Sequence, residues 1–177
     1  MERFAKEAVA RAARVRLLVM DVDGVMTDGT IHLDDRGVET KGFNIMDGLG
    51  LTLLRRAGLK LGIITGRTSE VVSRRARELG MAHLVQGSAD KHAAAAEILA
   101  AEGLDWDALA YVGDDLIDLP VLTRAGLAAC PPGSAAEVKA VVHHVTAAAG
   151  GRGAVREVCE LILTAQGRWE EAVGRYR

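Results

Sequence analysis

Five short, mostly apolar runs punctuate the chain, at residues 15–21, 59–65, 82–86, 109–113 and 126–130. None keeps up a strict apolar–polar alternation, so each reads as a strand buried on both faces. Helical patterns fill the stretches 48–57, 69–79, 91–102, 119–125, 135–141 and 155–166. This alternation predicts an α/β fold, a doubly wound parallel sheet with helices on both faces and right-handed crossovers. One segment breaks the rhythm. Ile31-His32-Leu33 and Val38-Glu39-Thr40-Lys41 flank the turn Asp34-Asp35-Arg36-Gly37. Residues 30–44 therefore predict a β-hairpin projecting from the sheet after the first strand. A weaker helical pattern, over 2–14, precedes that strand.

The 177 residues suit one domain spanning 1–177, with no internal repeat and no second domain. A formal net charge of −2 with no basic face speaks against a nucleic-acid partner. No apolar run approaches the ~18–20 residues that span a bilayer. Leu17-Leu18-Val19-Met20 is too short for the apolar core of a secretion signal. Cys130 and Cys159 form no CxxC pair, which points to a reduced, cytoplasmic protein. His143-His144 reads as a strand edge without partners at metal-ligand spacing.

The candidate chemistry lies at strand ends. The first strand runs into Asp21-Val22-Asp23-Gly24, and the fourth into Gly113-Asp114-Asp115 with Asp118 close behind. In an open parallel sheet, ligands bind beyond the carboxyl ends of the strands. Asp21, Asp23, Asp114 and Asp115 should therefore converge there. Clustered carboxylates repel unless a cation neutralises them, and an all-oxygen set favours a hard ion, Mg²⁺ first. The second strand leads into Thr65-Gly66-Arg67, and Lys91 opens the helix after the third. Acids for a metal, with a hydroxyl, an ammonium and helix N-termini for an anion, make a kit for phosphoryl transfer.

In this order, Asp21-Val22-Asp23-Gly24-Val25-Met26-Thr27-Asp28-Gly29, Ile64-Thr65-Gly66-Arg67, Lys91 and Gly113-Asp114-Asp115-Leu116-Ile117-Asp118 resemble the haloacid dehalogenase (HAD) superfamily. The resemblance implies a two-step phosphatase with an aspartyl-phosphate intermediate. It makes Asp21 the nucleophile and Asp23 the acid and base. Mg²⁺ would be held by Asp21 and Asp114 and by the backbone carbonyl of Asp23. Thr65 and Lys91 would hold phosphoryl oxygens, while Asp115 and Asp118 would orient Lys91 and metal-bound water. The intervals from Asp23 to Thr65 and from Thr65 to Lys91 are too short for a cap domain. That implies an open site, closed by another subunit or left to a large substrate.

Three further segments narrow the resemblance: Phe43-Asn44-Ile45-Met46-Asp47-Gly48-Leu49-Gly50, His83-Leu84-Val85-Gln86-Gly87, and residues 149–157 from Ala149-Gly150-Gly151-Arg152-Gly153 to Arg156-Glu157. They are similar to the phosphatases of 3-deoxy-D-manno-octulosonate 8-phosphate, over roughly residues 15 to 167. This family resemblance implies a phosphorylated sugar acid as substrate and a role in lipopolysaccharide synthesis. It also implies a homotetramer with hairpins forming a central barrel and a C-terminal tail, about 149–177, reaching a neighbouring site. Asp23, Asn44, Ile45, Met46, Asp47, Gly48, Arg67, Arg75 and Lys91 would contact substrate, with Arg152 and Arg156 contributing from the tail. Asp47 is also a candidate cap for a helix starting at Gly48. Two rivals stand beside this reading: a phosphatase for a nine-carbon sugar acid phosphate, and a receiver-type phosphoacceptor module.

Overall fold

The computed structural model describes residues 4–177. Its main sheet has six parallel strands. In chain order these are β1 (Leu17–Met20), β4 (Lys60–Ile64), β5 (His83–Val85), β6 (Leu109–Val112), β7 (Leu127–Cys130) and β8 (His144–Val145). They lie in the order β5-β4-β1-β6-β7-β8. The chain thus winds outward to one side of β1, returns, and continues on the other. β2 (His32–Leu33) and β3 (Glu39–Thr40) pair antiparallel as the separate hairpin. β8, at the sheet's edge, is a sixth strand beyond the five expected; it begins at His144, within the pair read as a strand edge.

Strand residues serve two cores in turn, as the pleat requires. Leu18 and Met20 of β1 join one apolar cluster, Leu17 and Val19 the other. The first cluster is closed by α1 (Lys6–Ala12), α2 (Ile45–Arg56), α3 (Glu70–Leu79) and α7 (Ala154–Ala165). The second is closed by α4 (Lys91–Glu102), α5 (Leu119–Leu122) and α6 (Ala136–Lys139). α8 (Trp169–Gly174) follows α7 and has no counterpart in the apolar pattern. No helix among the described residues is long and apolar enough to cross a membrane.

The helix expected over 155–166 is present as α7, and it packs into the core, with Val155, Val158, Cys159, Leu161, Ile162 and Leu163 buried. The apolar stripe that made 155–166 helical also makes it core. α2 begins at Ile45, capped by Asn44, whose side chain accepts from the amides of Met46 and Asp47. Asp47 therefore does not cap its own helix. Its Oδ1 accepts instead from the Arg156 amide at 2.7 Å, in the first turn of α7, where Gly153 offers no side chain. The helix expected over 2–14 is described as Lys6–Ala12, and its first residues, 2 and 3, lie outside the described residues.

Candidate active site

β1 carries the site because of where its pairing ends. The Asp21 amide still donates to the Val112 carbonyl at 2.9 Å, one step beyond the strand. Strand alternation then aims the Asp21 side chain toward the face holding Leu17, Val19 and α4. Lys91 is the first residue of α4, and its Nζ lies 2.9 Å from Asp21 Oδ1 and 2.7 Å from Asp118 Oδ1. This ammonium is buried, as are both carboxylates. Buried charges persist only when so paired.

Asp118 has no oxygen to spare. Oδ1 accepts from Lys91 and, at 2.7 Å, from the Tyr111 hydroxyl. Oδ2 accepts from the amides of Asp114 and Asp115 at 3.0 and 3.3 Å. One carboxylate thereby fixes Lys91 and the turn that presents Asp114. Asp115 is exposed and caps the following turn, accepting from the Leu116 amide at 2.8 Å. Of the two acids expected to orient Lys91, Asp118 is the one in contact with it.

Asp21, Asp114 and Asp118 each place an oxygen within 4.8 Å of the others. Burial, then repulsion from Asp21, Asp118 and Asp115, raises Asp114 to about 7. Burial raises Asp21 to about 6 against the opposing pull of Lys91. The turn after β1 is shaped for this crowding. Gly24 has φ +93°, and a Cβ there would stand 2.1 Å from Asp114 Oδ2. The same turn is backed from the far end of the chain. A Cβ on Gly150 would lie 1.8 Å from the Gly24 carbonyl oxygen, so only glycine fits. The Gly151 amide donates to the Val25 carbonyl at 3.0 Å. Gly150-Gly151 thus buttresses the turn after β1.

Asp21, Asp23, Thr65, Gly66, Arg67, Asp114, Asp115 and Ile117 line one cleft of about 180 Å³. Ligand pockets commonly measure ~300–1,000 Å³. The cleft can therefore take a group of phosphoryl size and leave the bulk of a larger ligand outside it. Thr65 is buried at the end of β4, with its hydroxyl accepting from the Arg67 amide at 3.4 Å. Arg67 pairs with Glu39 of the hairpin at 2.9 Å and lies 3.7 Å from Asp23.

The remaining expected contacts do not line this cleft. Asn44, Ile45, Met46, Asp47 and Gly48 form the start of α2 at the hairpin's foot. Ile45 and Met46 face outward, whereas Asp47 is buried against α7. Burial raises the Asp47 carboxyl above its usual range, opposed by the Arg156 and Gly153 amides. Arg75 lies along Phe43, 5.7 Å from its ring centroid, and pairs with Glu78 at 2.9 Å. Asn44 and Arg152 line a second cleft with Asp28, His32, Phe43 and Gly151. Arg156 pairs with Glu160 at 2.7 Å. Sequence reasoning missed Lys41 and Glu39. The Lys41 ammonium is bonded to Asp23 and lies 3.4 Å from Glu39.

A paired lysine, a strand-end threonine and facing aspartates at the central strand's carboxyl edge define a hydrolase of the HAD class, and solved structures agree. A protein from Legionella pneumophila described as a HAD superfamily (subfamily III A) hydrolase is 41% identical, with a TM-score of 0.93 over 96% of this chain and 93% of that one. No protein-family model matches the chain. The 3-deoxy-D-manno-octulosonate 8-phosphate phosphatase KdsC of Yersinia pestis is 45% identical over 96% of this chain and 91% of its own length. KdsC of Escherichia coli K12 is 42% identical over 96% and 90%. The Moraxella catarrhalis phosphatase of the same name, solved with magnesium, phosphate and KDO, is 43% identical, with a TM-score of 0.95 over 97% and 98%. The chain belongs to the 3-deoxy-D-manno-octulosonate 8-phosphate phosphatase family.

Proposed function

We propose that this enzyme hydrolyses 3-deoxy-D-manno-octulosonate 8-phosphate to the free sugar acid and phosphate, within lipopolysaccharide inner-core synthesis. The observation that carries the reading is the Asp21–Lys91–Asp118 array facing Asp114 in a chain of this family. In the first step an Asp21 carboxylate oxygen bonds to phosphorus, and the bond from phosphorus to the sugar oxygen breaks. Asp23 gives that oxygen a proton. In the second step Asp23 takes a proton from water as the water oxygen attacks phosphorus. The Asp21–phosphorus bond breaks and inorganic phosphate leaves. Thr65 and Lys91 bind the phosphoryl oxygens, and Asp118 orients Lys91.

The acids suit a hard divalent cation. They offer only oxygens, and the raised affinity of Asp21 and Asp114 for protons marks a site short of positive charge. We assign Mg²⁺ to Asp21, Asp114 and the Asp23 carbonyl, where it supplies positive charge to the carboxylates and the phosphoryl oxygens.

The sugar would extend past the rim, where the small cleft ends. We assign Arg67, Arg75 and the start of α2 to sugar-acid recognition within a cytoplasmic homotetramer. Exposed Ile31, Leu33 and Val38 on the hairpin support an assembly through that element. Two free, buried cysteines support a reducing compartment.

The test is phosphate release with Mg²⁺ from the eight-carbon and nine-carbon sugar acid phosphates, a hexose phosphate and acetyl phosphate. Strong preference for the eight-carbon ester, abolished by EDTA, is the expected result. Equal hydrolysis of all four would remove the substrate assignment and leave only the phosphatase chemistry.

A further inference from the structure

Lys41 sits in an unusual position for a residue of a projecting hairpin. Its side chain is only 1% exposed. Strand alternation puts it on the same face as Glu39, two residues earlier, and that face turns to the sheet's carboxyl edge. There the ammonium donates to Asp23 Oδ1 and lies 3.4 Å from Glu39 Oε1. Glu39 is held in turn by the Arg67 guanidinium at 2.9 Å and by the Ser69 hydroxyl at 2.6 Å. Arg67 approaches the other oxygen of Asp23, at 3.7 Å. The Asp23 carboxyl is thus clamped between a cation from the hairpin and one from the loop after β4.

Lys41 does not line the cleft, whereas Asp23 does. Whatever the lysine contributes to the reaction must pass through the aspartate. We propose that Lys41 is a positioning residue: by occupying Oδ1 it fixes the Asp23 carboxyl with Oδ2 turned to the leaving oxygen. Glu39 acts as the strut that holds the ammonium in place. The hairpin is then part of the proton-transfer apparatus as well as a projecting arm. This inference rests on the proposed role of Asp23 as proton donor.

The test compares kcat/KM for an alkyl ester, 3-deoxy-D-manno-octulosonate 8-phosphate, with that for p-nitrophenyl phosphate. The sugar oxygen needs a proton to leave, whereas p-nitrophenolate leaves without one. Asp23→Asn serves as the reference and should lose far more on the alkyl ester. Lys41→Met should show the same selective loss, about 10- to 100-fold more on the alkyl than on the aryl ester, part of the ~10²–10⁴ a positioned acid supplies. Lys41→Arg should restore part of it. The double variant should be no slower than Asp23→Asn alone, because the lysine acts through the aspartate. If Lys41→Met does not fold, Lys41→Gln carries the same expectation. Equal losses on both esters for the lysine variants, with a selective loss for Asp23→Asn, would overturn the positioning role alone. Equal losses on both esters for Asp23→Asn would instead overturn the proton-donor reading beneath it.

Discussion

Replacing Asp118 by Asn should cost this protein much of its stability, although the two side chains have nearly the same shape. The carboxylate is fully buried and accepts four hydrogen bonds, two on each oxygen. An asparagine has one acceptor oxygen and one donor group. With its oxygen toward Lys91 and Tyr111, its amide faces the N–H groups of Asp114 and Asp115. Flipped, it faces the Lys91 ammonium. Neither orientation satisfies the four donors, and Lys91 keeps only Asp21 as a charged partner at 2.9 Å. Breaking a buried ion pair from one side costs about 3–5 kcal/mol. For a domain of this size that lowers Tm by about 6–20 °C. Thermal unfolding followed by circular dichroism reads the change directly, and phosphate release on the folded fraction should fall with it. A Tm within ~2 °C of the wild type would refute the idea that one carboxylate serves four donors.

Further expectations concern the carboxylates and the chain's far end. Asp21→Asn should lower phosphate release by about four orders of magnitude or more, as loss of a nucleophile does; activity near wild type would exclude the aspartyl intermediate. Asp21 and Asp114, raised to about 6 and about 7, hold protons in the folded state that the unfolded chain has released above pH ~4. Their stabilising effect is full below that pH and lost as pH rises through 6 and 7, while a cation must displace those same protons. The Tm increment from Mg²⁺ over EDTA should therefore be larger at pH 8 than at pH 5, and equal increments would contradict the site. Asp47→Ala should lower Tm by about 2–8 °C through loss of the cap on α7, worth about 1–2 kcal/mol; an unchanged melt would show that the Asp47 carboxylate does not stabilise the start of α7.

The sheet was legible because buried parallel strands leave continuous apolar runs, and all five expected strands lie within a residue or two of their places. Asp21, Thr65 and Asp114 were legible because each stands where an apolar run ends, and Lys91 because it stands where a helix begins. What escaped depends on packing between segments distant in sequence. Lys41 looks like any solvated strand residue until the hairpin folds onto the rim beside Asp23. Asp47 follows a helix-start pattern, yet its partner amide belongs to Arg156. Residues 149–157 carried a motif, but nothing local shows that Gly150 presses against Gly24. α8 is short, with no buried residue, so it leaves no stripe to read.

That last contact sets an order of assembly on the ribosome. Asp21 is made roughly 130 residues before the glycines that back its turn, an interval of about 6–26 s at ~5–20 residues per second. The sheet can begin to pair in that interval, while the turn bearing Asp21 and Asp23 still lacks its support. A chain interrupted before Gly150 would keep every acid of the cleft but lack the buttress behind the turn that bears Asp21 and Asp23. The turn that carries Asp21 and Asp23 therefore gains its support only after all six strands of the main sheet have been made.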